Sequence, residues 1–148
     1  MTACDDVIIM LEIRGVYLKN LLAAQEFFKD DRFQKLVGVN IEEVGDGYAG
    51  WGVNLDENHF NADGIVQGGV IYTLADSAFA VAANSGEFFT VTLSSSVQYL
   101  QKTTGRYIRA KAVRVGESKK VCFYRVDVTD EAGRLVAVAD MTGYTRAR

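Results

Sequence analysis

Two adjacent glycines at the start of an apolar stretch are the first residues of this chain whose type and position could do chemistry. Gly68 and Gly69 precede residues 70–83, which predict a helix that is buried on most sides and ends at Asn84. Backbone N–H groups in the first turn of a helix have no intrahelical partner and lie at its positive end, so they can bind an oxyanion. Glycine leaves room for close approach to those groups, although a tight loop-to-helix join would also explain the pair.

Asp76 is a carboxylate on the same predicted helix, where almost every neighbour is apolar. Such a group is costly to bury unless it is paired, hydrogen-bonded or functional. Two interpretations stay open: a functional carboxylate, or a structural one bonded to Ser77, Thr73 or backbone. At about 1.5 Å per residue, Asp76 lies about 12 Å along the axis from Gly68, too far for both to contact one reacting group. Two antiparallel copies of the helix would bring them together.

The remaining reactive residue types are scarce. His59 is the only histidine and stands in a polar loop, where an anchoring role fits better than a place in a Ser-His-Asp or Cys-His site. Cys4 and Cys122 suit a reducing cytoplasm better than a disulfide. Without a cluster of His and Cys residues, we expect no metal site.

Composition limits the classes of protein to consider. The 148 residues are 49% apolar and 24% charged, which indicates one globular domain over 1–148. A net charge of −3 argues against a nucleic-acid binder. No apolar run approaches the roughly 18 residues of a membrane span, and the N-terminus carries Asp5 and Asp6 where a secretion signal is basic. We therefore expect a cytoplasmic protein that does not bind membranes.

The elements that must position these residues follow from the spacing of apolar positions. An N-terminal helical segment is predicted within 1–37, from Val16 to Leu36, with a break near Asp30 and a stop at Gly38. Residues 38–148 are predicted to form the sheet and a central helix at about 68–84. The strands are expected at 39–44, 47–55, 88–100, 107–115, 120–128 and 135–145, and the short links between the last four predict adjacent antiparallel neighbours.

This pattern predicts an α+β protein with a hotdog fold, in which an antiparallel sheet of five or six strands wraps around the central helix. The sheet covers only one face of that helix. The other apolar faces need a partner, and self-association as a dimer or a dimer of dimers would supply it. Such a dimer would join two sheets edge to edge and pack the two helices together.

The segment from Asn61 to Ala80, NADGIVQGGVIYTLADSAFA, carries a family resemblance. It resembles the Asn-x-x-Gly-x-x-His-Gly-Gly-(x)4-Leu-Ala-Asp-Thr-Ala pattern of the PaaI-type (phenylacetate-degradation) thioesterases. These belong to the hotdog-fold 4-hydroxybenzoyl-CoA thioesterase superfamily. The resemblance extends over roughly 21–145, and a motif of this length at a helix entry is specific.

The resemblance implies a role for each matched residue. Asp76 corresponds to a catalytic aspartate that acts as nucleophile or as general base on water. Gly68 and Gly69 correspond to the glycines at the helix start, where amides meet the thioester carbonyl. Asn61 would orient the carbonyl or the water, although an Asx-turn is its ordinary loop role. Ser77 replaces the family threonine and would position water or bond Asp76.

Gln67 is where the chain departs from the pattern, because it replaces the histidine of His-Gly-Gly. Glutamine can position a group by a hydrogen bond but cannot transfer a proton near neutral pH. The function expected from the resemblance is hydrolysis of an acyl- or aryl-acyl-CoA. The alternative, for which Gln67 is the hint, is an acyl-CoA-binding or interaction module without turnover.

Coenzyme A would be part of the substrate in either case, so no separate cofactor is expected. Its phosphates need basic partners, and a solvated strand face is the ordinary role of such charges. The candidates are Arg106, Arg109, Arg114, Lys119, Lys120 and Arg146.

Overall fold

Two short helices begin the part of the chain that the computed structural model describes, residues 18–147. Asn20 caps the start of helix α1 (Leu21–Phe28) and Asp31 that of helix α2 (Arg32–Val37), and each of these side chains accepts a hydrogen bond from a first-turn amide. Gly38 ends α2 with φ of 80°, a left-handed conformation that favours glycine. The predicted break and stop are confirmed. Cys4 and the predicted start of the helical segment at Val16 lie outside the described residues.

Six antiparallel strands follow the order β1–β2–β4–β5–β6–β3 across one sheet. Each strand overlaps a predicted one, which confirms the six-stranded form of the prediction. The strands are β1 (Val39–Gly45), β2 (Tyr48–Asn54), β3 (Phe88–Tyr99), β4 (Tyr107–Glu117), β5 (Val121–Asp130) and β6 (Leu135–Ala147).

Helix α3 (Gly68–Ala83) lies against the inner face of this sheet, with most of its contacts to β2 and β4. Its buried side chains join Trp51 of β2 and the inward-facing residues of β4, β5 and β6 in one core. Phe79 of α3 packs edge to face on Tyr124 of β5, with ring centroids 5.4 Å apart. The expected central helix and its burial are confirmed.

One stripe of α3 remains uncovered within the chain, and we call it the open face. It includes Asp76, which is half-buried, and residues spaced to share one side of the helix. The members of the open face are Gly69, Tyr72, Thr73, Asp76, Ala80 and Ala83.

The prediction that β3 and β4 are neighbours is wrong. β3 pairs with β6, and β4 pairs with β2 and β5. After β3 the chain stays beside β6, because the amide of Leu100 bonds the carbonyl of Val136, and it then crosses to β4. We call the segment between β3 and β4, residues 100–106, the crossing. Asp130 holds it in place by accepting hydrogen bonds from the amide and hydroxyl of Thr104. A short link therefore joins strands that lie apart in the sheet.

The two edges of the sheet differ. β1 is short, has a register shift between Ile41 and Glu43, and carries Glu42 within it. β3 is the longer edge strand, and its Val91 and Leu93 are exposed. Unpaired backbone groups and exposed apolar side chains make β3 the edge suited to pairing with another strand.

No helix within residues 18–147 is long and apolar enough to cross a membrane. The organisation of residues 1–148 as one domain and the cytoplasmic location stay predictions.

Candidate functional site

The start of α3 presents two free backbone amides. Gln67 precedes the helix with extended backbone, and its exposed side chain makes no capping hydrogen bond. Among residues 18–147, no group accepts a hydrogen bond from the amide of Gly68 or of Gly69. A Cβ on Gly69 would find only the Gln67 side chain, at 3.9 Å. The amides can therefore bind an oxygen atom from outside the chain.

A cavity of about 400 Å³ lies elsewhere on the sheet, but the one that reaches Gly68 is smaller, at about 260 Å³. Tyr99 forms part of its wall, and its hydroxyl donates to the carbonyl of Gly68 at 3.1 Å. Apolar side chains from the loop before α3, from α3 and from the end of β3 line it, together with polar residues of the crossing. The lining residues are Ile65, Val66, Gly68, Ile71, Tyr99, Leu100, Gln101, Lys102 and Thr103.

Asp76 lies two turns further along α3, on the open face. The hydroxyl of Thr92 on β3 donates to its Oδ1 atom at 3.1 Å. Burial raises the pKa of Asp76, while the Thr92 hydrogen bond opposes this, and the net pKa is above the usual value. A carboxylate with a raised pKa in a partly covered position is suited to accepting a proton or to attacking an electrophile.

Neither hydroxyl proposed from the sequence to satisfy Asp76 does so. Ser77 is buried, and its Oγ atom accepts a hydrogen bond from Gln34 of α2 at 3.2 Å. Thr73 donates instead to the carbonyl of Gly69 at 2.8 Å. Successive helical residues point about 100° apart, so Ser77 lies on the covered side of α3 and Asp76 on the open face. The idea that Ser77 bonds Asp76 is wrong for this chain.

Asn61 has the loop role that was its alternative interpretation. Its Oδ1 atom accepts hydrogen bonds from the amides of Asp63 and Ile65, both at 3.0 Å. These bonds close the turn that includes Gly64, whose φ is 71°. The side-chain oxygen of Asn61 is thus engaged in shaping the loop that leads into α3.

His59 anchors the same loop from the interior of the protein. The side chain is buried; Nδ1 accepts from the amide of Asp56 at 2.9 Å, and Nε2 lies against the carbonyl of Val37, to which it donates. The carbonyl of His59 accepts from the amide of Gln67 at 2.8 Å. The expected anchoring role is confirmed, and it extends to Gln67, the residue that precedes α3.

None of the basic residues named as phosphate partners lines the cavity beside Gly68. Arg109 pairs with Glu42 and Glu43 on the outer face of the sheet, and Arg114 with Asp46 and Glu117. Arg106 and Arg146 lie over the rings of Phe60 and Phe89. Lys119 and Lys120 lie in the turn between β4 and β5.

Lys102, which the sequence analysis missed, is the basic residue that lines this cavity. Nothing in its local sequence marks it, since its position follows from the crossing between β3 and β4. No group of three or more His, Cys, Asp or Glu residues within residues 18–147 is arranged to hold a metal ion.

The structure thus brings Gly68, Gly69 and Gln67 together at the start of α3. It places Asp76 on the same helix about 12 Å along its axis. One chain therefore presents free amides and a carboxylate that lie too far apart to contact the same bound group. An antiparallel second copy of α3 on the open face would bring one of each together.

Comparisons with known proteins identify the family of this chain. The model of the thioesterase superfamily matches residues 63–137. The acyl-coenzyme A thioesterase PaaI of Escherichia coli K12 is 24% identical over 116 residues, which cover 78% of this chain and 83% of that protein.

Two solved structures share more of the sequence. A phenylacetic acid degradation protein PaaI from Thermus thermophilus, in a single-mutant form, is 33% identical with a TM-score of 0.71, covering 76% of this chain and 96% of that one. A hypothetical thioesterase from Streptococcus pneumoniae, solved with coenzyme A, is 26% identical with a TM-score of 0.73, covering 82% and 98%.

Proposed function

The chain belongs to the thioesterase superfamily and is a thioester hydrolase, and on that premise we propose that it hydrolyses an acyl- or aryl-acyl-CoA at a site shared by two copies of the chain. The observation that carries the proposal is the position of Asp76 on the open face of α3, on the helix whose first amides are free. The neighbour solved with coenzyme A supports this class of substrate.

The amides of Gly68 and Gly69 would bind the thioester carbonyl oxygen. Negative charge develops on that oxygen when the carbonyl is attacked, and preorganised N–H donors at a helix start stabilise it. Gln67, exposed beside these amides, would position the substrate by a hydrogen bond without transferring a proton. We place part of the substrate in the adjoining cavity, where Lys102 is available to an anionic group.

Asp76 of the second copy would attack the thioester carbonyl carbon or activate the water that does so. It either attacks the carbonyl carbon to form an anhydride that water then hydrolyses, or it takes a proton from water that attacks directly. In both routes the carbon–sulfur bond breaks and coenzyme A leaves as the thiolate. Coenzyme A enters as part of the substrate, so the proposed reaction uses no separate cofactor.

A second copy would also use the open edge of the sheet. Two β3 strands can pair antiparallel about a twofold axis, which places the open faces of the two α3 helices toward each other. Val91 and Leu93 would be covered in that arrangement. The pairing gives two equivalent sites in each dimer.

Release of free thiol from a panel of aryl, short-chain and long-chain acyl-CoAs tests the proposed activity. We expect turnover of at least one member, with the Asp76→Asn variant as the inactive control. Binding of acyl-CoA without thiol release from any member would instead support the binding-module alternative suggested by Gln67.

Co-expression of two inactive variants tests the shared site. Asp76→Asn keeps the amides and Gly69→Val keeps the carboxylate, while the valine side chain crowds the space in front of the amides. Each variant alone should be inactive. Co-expressed in equal amounts, they should regain about a quarter of the parental rate, because half of the dimers are mixed and one of the two sites in each is intact.

The same samples supply the controls for this prediction. Asp76→Asn co-expressed with a differently tagged copy of itself should stay inactive, and thermal melts should show that each variant is folded. Recovery no greater than in these controls would contradict a shared site. Sedimentation of an active, folded monomer at low micromolar concentration would contradict it as well.

A further inference from the structure

Three hydroxyl groups connect the edge strand β3 to successive turns of α3. Tyr99 donates to the carbonyl of Gly68 at 3.1 Å, and the hydroxyls of Ser95 and Tyr72 lie 2.9 Å apart. Thr92 completes the series with its hydrogen bond to Asp76. Positions 68, 72 and 76 are four residues apart, so β3 contacts the helix once in each turn along one side.

This series of contacts depends on an irregularity in β3. Side chains of a regular strand alternate between faces, so Thr92 and Ser95, three residues apart, would point to opposite sides of the sheet. The pairing of β3 with β6 shifts register between Thr92 and Ser94, where Leu93 is the extra residue and is exposed. A β-bulge of this kind re-aims the neighbouring side chains. It lets both Thr92 and Ser95 face α3.

We propose that Thr92 is the positioning residue of the catalytic carboxylate, and that the bulge at Leu93 directs the Thr92 side chain toward Asp76. The inference rests on the proposed function of Asp76. The Thr92 hydroxyl holds Oδ1, while Oδ2 accepts no hydrogen bond from residues 18–147 and remains available to substrate or water. The hydrogen bond to Oδ1 therefore fixes the orientation of the carboxylate, and Oδ2 is the atom that reacts.

The surroundings leave Thr92 as the main polar influence on Asp76 within the chain. The elements packed here contribute Tyr72 on α3, Thr92, Ser95 and Tyr99 on β3, and Gly143 on β6, which pairs with Thr92. Tyr72 and Tyr99 are the ionisable members, and neither forms an ion pair with Asp76. Donation from Thr92 favours the charged form of the carboxylate and opposes the effect of burial on its pKa.

The test uses Thr92→Val, which keeps the shape of the side chain and removes the hydroxyl. We expect kcat to fall about 10-fold with little change in KM, the size expected for a lost hydrogen bond to a charged group. The acid limb of the pH–rate profile should move to higher pH, because the carboxylate loses the donor that favours its charged form. Thr92→Ser, which restores a hydroxyl, should recover most of the rate and the parental profile.

Ser95→Ala is the matched control. It removes another hydrogen bond between β3 and α3, and Ser95 does not bond Asp76. It should keep the parental pH profile. An unshifted acid limb in Thr92→Val, or an equal shift in Ser95→Ala, would overturn the positioning role and leave Thr92 as one structural contact among three.

A second measurement separates this inference from the proposed function. The titration of the Asp76 carboxyl carbon can be followed by NMR in aspartate-labelled parent and Thr92→Val protein, with Asp76→Asn used to assign the signal. We expect the pKa of Asp76 to be higher in Thr92→Val. If that occurs in a protein without thioester turnover, the contact is upheld and the proposed function fails. An unchanged pKa overturns the inference whether or not the protein is active.

Discussion

Asp76→Asn should lower thioester turnover at least about 10²-fold, equivalent to about 2.7 kcal/mol of activation free energy, while the protein stays folded. Asparagine has the size of aspartate and can still accept the Thr92 hydrogen bond. It can neither attack a carbonyl as a carboxylate nor take a proton from water. The rate should therefore fall through the chemical step, with the fold preserved.

The stability of the same variant has a predicted direction. Burial raises the pKa of Asp76, so the folded protein binds this proton more readily than the unfolded chain does. The parent consequently loses stability as the pH rises from the unfolded pKa through the folded pKa. Asparagine does not titrate, and the variant should melt at or above the parental temperature at neutral pH.

Thiol release and a thermal melt on one sample measure both effects. Asp140→Asn, at an exposed position on β6, is the matched control and should change neither the rate nor the melt. An Asp76→Asn protein that melts normally and turns over at the parental rate would make Asp76 a structural residue. The proposed mechanism would then need another catalytic group.

Asp130→Asn should lower the free energy of unfolding by about 3 kcal/mol, the largest stability effect that we expect in this chain. The side chain of Asp130 is 4% exposed. Its Oδ2 atom accepts from the amide and hydroxyl of Thr104 and from the guanidinium of Arg134, and its Oδ1 atom accepts from the amides of Ala132 and Arg134. The asparagine NH2 group would face some of these donors instead of accepting from them. Arg134 would lose its carboxylate partner and keep its hydrogen bonds to Lys102 and Gln101.

The effect of Asp130→Asn should depend on pH. Burial alone would raise the pKa of Asp130, but the hydrogen bonds from Thr104 and Arg134 outweigh it and hold the pKa well below its usual range. A depressed pKa contributes stability that is present above the unfolded pKa and is lost as the pH falls through the folded pKa. The difference between parent and variant should therefore be smaller at pH 3 than at pH 7.

Urea unfolding at both pH values and one protein concentration checks this prediction. Asp127→Asn removes an exposed ion pair with Arg125 and should cost less than about 1 kcal/mol. A cost for Asp130→Asn no larger than this control would contradict the assigned role. Asp130→Asn should also loosen the crossing, part of which lines the cavity beside Gly68, because Thr104 belongs to the crossing.

Local patterns predicted the elements of this fold well. A long continuous apolar run marks α3, and alternating apolar residues mark the strands, because burial on one side of a strand imposes a period of 2 on the chain itself. The break near Asp30 and the stop at Gly38 are equally local. The order of the strands is different: the short link after β3 predicted pairing with β4, but the neighbours of a strand are chosen by contacts distant in sequence.

The candidate site divides in the same way. Asp76 and the two glycines could be recognised from their types and spacing. Helical periodicity could have shown that Ser77 points away from Asp76, although not that its partner would be Gln34. Thr92 could not, because an unmarked bulge changes which side chains of β3 face the helix. Lys102 reaches the cavity only through the crossing between two strands.

The difference between the two edges of the sheet limits how far these molecules can assemble. A strand can add at β3, whereas the short β1 edge, with its register shift and Glu42, is a poor template. Once two chains join through β3, both outer edges of the combined sheet are β1. Growth by strand addition would therefore stop after one step, so the edge asymmetry that favours pairing would also protect the chain from forming fibres.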